Sequence, residues 1–148
     1  MISESWPLIA AALTECGQGS RASQAAALAT VAIETASTFR PVREAFWLSE
    51  EWRKGNLRYW PYYGRGFIQI TWVWNYARYS GDVGFDLVQS PDRAMEPQVA
   101  AKILAAYWAS HNIQRAADVG DWTEVRRLVQ GGSAGLDRLT HIAAALLS

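Results

Sequence analysis

"YYGRGFIQITWVWNY", residues 62–76, sets six aromatic rings among one arginine, one glutamine, one threonine and one asparagine. A core strand would carry the apolar residues without Arg65 or Gln69, and a nucleic-acid surface would carry more lysine. Rings interleaved with amides and hydroxyls suit a ligand with flat apolar faces and a polar rim, which describes a sugar ring. Tyr62, Tyr63, Arg65 and Trp72 are the candidate sugar contacts of this stretch. Phe67, Ile68 and Ile70 are β-formers, so a short hairpin is expected over 66–72. In an extended segment Gln69 and Thr71 share a face, where a hydroxyl can hold a water and an amide can bond an N-acetyl group. The alternative is a strand whose polar face meets solvent.

Outward from this run, residues 38–75 have no sustained helical period and hold Pro41, Pro61, Gly55, Gly64 and Gly66. They read as one long excursion between helical regions. Helices are expected at about 5–16, closed by Gly17 and Gly19, and over 20–37 with Ser20 as N-cap. Ala25 to Ile33 is apolar on all sides, as in a helix at the centre of a domain. Further helices are expected from about Glu96 with Pro97 in the first turn, over 121–130 capped by Asp121 and stopped by Gly131-Gly132, and over 136–147. The whole reads as a single, mainly α domain, residues 1–148.

The 148 residues can bury a real core. Fourteen basic against fourteen acidic residues give no electrostatic case for nucleic acid or an anionic membrane. Cys16 is the only cysteine, which excludes an intrachain disulfide and a cysteine-based metal site. His111 and His141 stand in no ligand spacing, so no metal or cofactor is expected. The opening "MISESWPLIAAALTECG" has an apolar stretch, but Glu4 precedes it without a basic n-region. Neither a secretory signal nor a membrane span is expected from it.

A glycosidic bond needs a proton donor and a group that activates water. Glu34 continues the apolar stripe of Ala27 and Val31 near the end of the central helix. Desolvation and the negative end of the helix dipole both disfavour an anion there, which suits a general acid; the alternative is a helix-end glutamate turned to solvent. Glu44 follows "FRPVR", whose Arg40 and Arg43 favour the ionised form a base requires. Glu50 and Glu51, in "SEEW", read instead as first-turn acids of a short helix capped by Ser49.

These segments resemble glycoside hydrolase family 19. The run at 62–76 is similar to that family's YYGRGPIQLTxxxNY signature. "VAIETASTF" resembles its acid segment, an H-E-[ST]-G-G stretch ending a helix, and "VQGGSAGLDR" (129–138) resembles the later N-G-G-x-N-G segment with its following arginine. The similarity runs in order over roughly residues 25 to 140 and lies nearest the short, disulfide-free phage and prophage endolysins of the family. It implies a lysozyme-like fold of two helical lobes, with a small irregular or hairpin region lining the cleft, and an inverting mechanism. It also implies Glu34 as acid, Glu44 as base, Thr71 as the water-positioning hydroxyl, and Gln69 and Asn75 as sugar contacts. Gln130 stands at the family's first asparagine and keeps an amide for sugar, whereas Ala134 stands at the second and keeps none. Arg138 matches the C-terminal arginine and is expected to orient the acidic site. Ile33 replaces the histidine before the acid, and Ala36 and Ser37 replace its glycines.

The function expected is cleavage of peptidoglycan by a monomeric enzyme, made in the host cytoplasm and delivered by a holin or within a phage particle. A chitinase and a catalytically inactive carbohydrate-binding module are the rivals. No nucleic-acid partner and no membrane insertion are expected.

Overall fold

The structure is a computed structural model that describes residues 2–130 and 134–148, without the side chain of Gln130. The chain runs α1 (Ile2–Glu15), α2 (Arg21–Glu34), β1 (Val42–Arg43), α3 (Glu50–Asn56), β2 (Arg65–Gly66), α4 (Val73–Val83), a 3-10 turn (Pro91–Met95), α5 (Pro97–Ser110), α6 (Ile113–Asp118), α7 (Trp122–Gln130) and α8 (Leu136–Leu147). The expectation of a mainly α, lysozyme-like fold holds. None of the described helices is long and apolar enough to cross a membrane.

Two helices form the centre. In α2, Ala25, Ala26, Ala27, Ala29, Thr30, Val31 and Ala32 are all buried, as its all-round apolar sequence requires. Small side chains let neighbours approach on several sides, and α2 packs against α8 and α6. In α5, Val99, Ile103, Leu104 and Trp108 are buried, and α1 and α4 lie on it. The buried residues of α1 are Ser5, Ile9, Ala12 and Leu13, one stripe at helical spacing. The helices thus form two groups, α1–α4–α5 and α2–α6–α7–α8, joined through α5–α6 and α1–α2 contacts.

The starts are set by side chains. Ser20 Oγ accepts the N–H of Ser23 at 3.1 Å, Ser49 Oγ accepts that of Trp52 at 3.1 Å, and Asp121 Oδ1 accepts that of Glu124 at 3.1 Å. Each satisfies a donor that the first turn leaves free. Pro97 opens α5 without needing such a partner.

In the middle region the expected hairpin over 66–72 is reduced to its turn and one pair. β1 pairs antiparallel with β2 in the register Val42 to Gly66 and Arg43 to Arg65, and a single bridge joins Arg65 to Ile70. Residues 67–69 form a tight turn, with Gln69 left-handed at φ +59°, and Trp72 at φ +75° breaks any strand beyond Ile70. The α4 helix then begins at Val73, inside the stretch that shows no clear helical period in the sequence.

Candidate active site

Glu34 ends α2 with its side chain 13% exposed, and its Oε1 accepts from Arg126 Nη1 at 3.0 Å. Arg126, on α7, is itself buried and also donates through Nε to the Ala134 carbonyl. Gly135, at φ +77°, packs so closely that a Cβ there would lie 3.3 Å from Arg126 Nη2. The arginine is therefore held from behind before it meets the glutamate. Arg138, expected to orient the acid, instead donates to Ser37 Oγ at 2.8 Å. The partner of Glu34 comes from α7 because α7 packs beside α8 and α6, which both cover α2. Arg126 was legible in one respect: with Trp122, Val125 and Val129 it lies on the inward stripe of α7, where a lone arginine needs a carboxylate.

Beyond Glu34 the backbone turns through Ala36 at φ +50°, Ser37 at φ +64° and Phe39 at φ +55°. Ala36 and Ser37 stand where the family signature has glycines, so the left-handed turn is kept with L side chains, at a cost of roughly 1–2 kcal/mol each.

Glu44 follows β1 directly. Its N–H donates to the Gly64 carbonyl at 2.7 Å, and the Gly64 N–H donates back to Glu44 Oε2 at 2.9 Å. The other carboxylate oxygen, Oε1, accepts from the Tyr59 hydroxyl. Gly64 has to be glycine here: a Cβ would lie 2.6 Å from Gln69 Oε1 and 3.3 Å from Glu44 Cβ. Burial, the hydrogen bond to Glu44 and its negative charge push the Tyr59 phenol up to about 12.

Behind this loop lies a polar frame. Arg65 is 3% exposed; its guanidinium donates to Asp92 at 3.0 Å, to Tyr76 Oη at 2.9 Å and to the Pro61 carbonyl at 2.8 Å, and lies over the Tyr63 ring at 3.9 Å. Tyr63 is fully buried, donates to Glu50 Oε2 at 2.9 Å and accepts from Arg43 at 2.9 Å. Tyr62 packs on the core and donates to the Val88 carbonyl. Tyr63 and Arg65 are too deep to meet a sugar as expected, because they satisfy one another in the frame, whereas Tyr62 is half-buried. Glu50 is more than a first-turn acid, accepting also from Trp60 Nε1 at 2.9 Å and Arg53 Nε at 3.0 Å. Burial pushes the Glu50 carboxyl up, but the donors Trp60, Arg53 and Tyr63 outweigh it and hold the group below the usual range. Glu51 is exposed.

The remaining candidates do converge. Gln69, Thr71, Trp72 and Asn75 line a cavity of about 280 Å³ with Tyr79 and Tyr107. The Gln69 amide is already committed, donating to the Val42 carbonyl at 2.8 Å and the Gly66 carbonyl at 3.1 Å, and Asn75 Nδ2 donates to the Thr71 carbonyl at 2.8 Å. These bonds shape the wall, and Gln69 Oε1 packs against Gly64. Gln130 lies at the edge of the described residues and its side chain outside them. Among the described residues, no cluster of histidine, cysteine or carboxylates could hold a metal ion.

The family model for glycoside hydrolase family 19, described as chitinase class I, matches residues 44–124. The chain belongs to glycoside hydrolase family 19. A family 19 domain-containing protein of Haemophilus influenzae is 32% identical over 60% of this chain and 42% of its own length. Chitinase 5 of Oryza sativa subsp. japonica is 36% identical over 38% of this chain and 22% of its own. The chain thus spans less than half of either relative. The crystal structure of chitinase C from Streptomyces griseus HUT6037 superposes with a TM-score of 0.67, covering 86% of this chain and 60% of that one at 24% identity. That match speaks for the fold; in this chain the signature run at 62–76 forms β2, the turn after it and the opening of α4.

Proposed function

We propose that this chain hydrolyses the β-1,4 linkages of peptidoglycan between N-acetylated sugars, with Glu34 as general acid and Glu44 as general base. The observation that carries the reading is the contrast in how the two carboxylates are held. Glu44 has a donor on each oxygen, Tyr59 and the Gly64 N–H, which fixes the plane of the carboxylate that draws a proton from water. Glu34 has Arg126 on Oε1 only, so Oε2 is the oxygen left to meet the glycosidic oxygen. Thr71, which lines the cavity, is the hydroxyl assigned to hold the attacking water for Glu44. Water then enters opposite the leaving group, and the product inverts.

Peptidoglycan is favoured over chitin by the bacterial relative, which covers more of this chain than the rice chitinase does, and by a lone, exposed Cys16 with no disulfide. Delivery by a holin or within a phage particle fits that substrate. Chitin cleavage is the second reading, favoured by the names of the plant relatives and of the Streptomyces structure.

The test sets purified sacculi beside N-acetylglucosamine oligomers, with wild type, Glu34→Gln and Glu44→Gln. Soluble reducing ends from sacculi are expected with wild type, and at least about a hundredfold less with either variant. Proton NMR of the first product should show the α-anomer. Release from the oligomers alone moves the assignment to chitin, and no release from either leaves a binding module.

A further inference from the structure

We propose that Tyr59 is the positioning residue of the general base, a role that rests on the reading of Glu44 as base. The last torsion of a glutamate is broad, so a carboxylate anchored through one oxygen still pivots. Gly64 N–H anchors Oε2 at 2.9 Å, and that bond alone leaves the plane of the group free to turn. The Tyr59 hydroxyl on Oε1 supplies the second point and fixes it. An ionised carboxylate offers about four lone-pair sites; the two donors occupy two, and the others remain for a water.

Tyr59 is itself braced from the cavity side. Its ring lies 5.0 Å from that of Trp72, Trp72 stacks on Trp74 at 4.8 Å with the planes 10° apart, and the Arg58 guanidinium sits over Trp72 at 5.3 Å. Trp72 is also a wall of the cavity that Thr71 lines. One packed unit therefore joins the sugar-side wall to the orientation of the base. With its phenol raised to about 12, Tyr59 remains a donor throughout the neutral range.

Steady-state kinetics of Tyr59→Phe decide the matter, run on whichever of the two substrates wild type cleaves and at a temperature where circular dichroism shows the variant folded. The substitution keeps the ring on Trp72 and removes only the hydroxyl. A fall in kcat of about tenfold with KM within twofold is expected, since misplacing a reacting group is felt in turnover. A kcat loss smaller than threefold overturns the proposal, and so does a raised KM with kcat intact, which would make Tyr59 a substrate contact. Glu44→Gln separates the two levels. If it is inactive while Tyr59→Phe is near normal, the base stands and the positioning role falls. If Glu44→Gln is active, or wild type cleaves neither substrate, the reading of the base fails and the proposal with it.

Discussion

The two glutamates are housed in opposite ways. Glu34 depends on one arginine ninety-two residues away, carried on a different helix and locked by Gly135. Glu44 depends on close neighbours, with Gly64 twenty residues away and Tyr59 fifteen, all within the loop that β1 and β2 pinch together. Long-range housing makes Glu34, the proposed acid, a reporter of how α7 seats against α2. Local housing makes Glu44, the proposed base, largely independent of that packing, and the difference can be broken experimentally.

The largest stability effect is expected from Arg126→Ala, which leaves a mostly buried carboxylate without its charge partner. A loss of about 3 kcal/mol is expected in urea denaturation. Glu34→Gln in the same background should restore a good part of it, giving a double-mutant coupling well above the scatter of independent sites. Additive losses would mean that Arg126 matters only through its bond to the Ala134 carbonyl.

Glu44→Gln sharpens the contrast from the other side. The amide oxygen still accepts one of the two hydrogen bonds, so stability should fall by only about 1 kcal/mol while activity collapses. A loss as large as that of Arg126→Ala would make the base as dependent on packing as the acid.

The frame behind the base carries a pH signature. Burial pushes the Asp92 carboxyl up, but Arg43 and Arg65 outweigh it and hold the group below the usual range. A folded-state value below the unfolded one, about 3.9, gives stability that is present above that pH and is lost as pH falls through the folded value. Wild type should therefore exceed Asp92→Asn in urea midpoint at pH 6, and the gap should close below about pH 4. A gap that persists at low pH would assign the difference to packing instead of charge.

The smallest effect is a gain. Ala36→Gly relieves a left-handed alanine worth roughly 1–2 kcal/mol and gives back part of it in chain entropy. A net rise of about 0.5–1 kcal/mol is expected by thermal melting, and Ala45, left-handed at φ +52° beside Glu44, is the matching position on the other side.

The helical scaffold was legible because its signals are local. Ser20, Ser49 and Asp121 announce their helices by type and spacing, and the alanine run of α2 announces burial. α4 was not legible: Trp72 makes no side-chain cap bond, and the aromatic run reads straight across its first turn. The positions of Glu34 and Glu44 followed from context, but their partners did not, since Arg126 and Tyr59 reach them only through tertiary packing. Tyr63 and Arg65 teach the same lesson. Rings beside an arginine suit a sugar, yet they equally suit a buried guanidinium that needs both a carboxylate and π-faces around it. Composition alone does not separate the two, whereas the burial of Arg65 and Tyr76 does.

The stacked indoles of Trp72 and Trp74 have an optical consequence. Two nearly parallel rings 4.8 Å apart couple their electronic transitions, so the pair should act as an exciton with a split far-ultraviolet circular dichroism band. Because Trp72 is also a wall of the cavity, a ligand that shifts or tilts its ring alters the coupling, and occupancy becomes visible without any label or turnover. Trp74, more than half exposed, is the ring through which the signal can be removed, so the protein carries its own chromophoric gauge at the rim of the site.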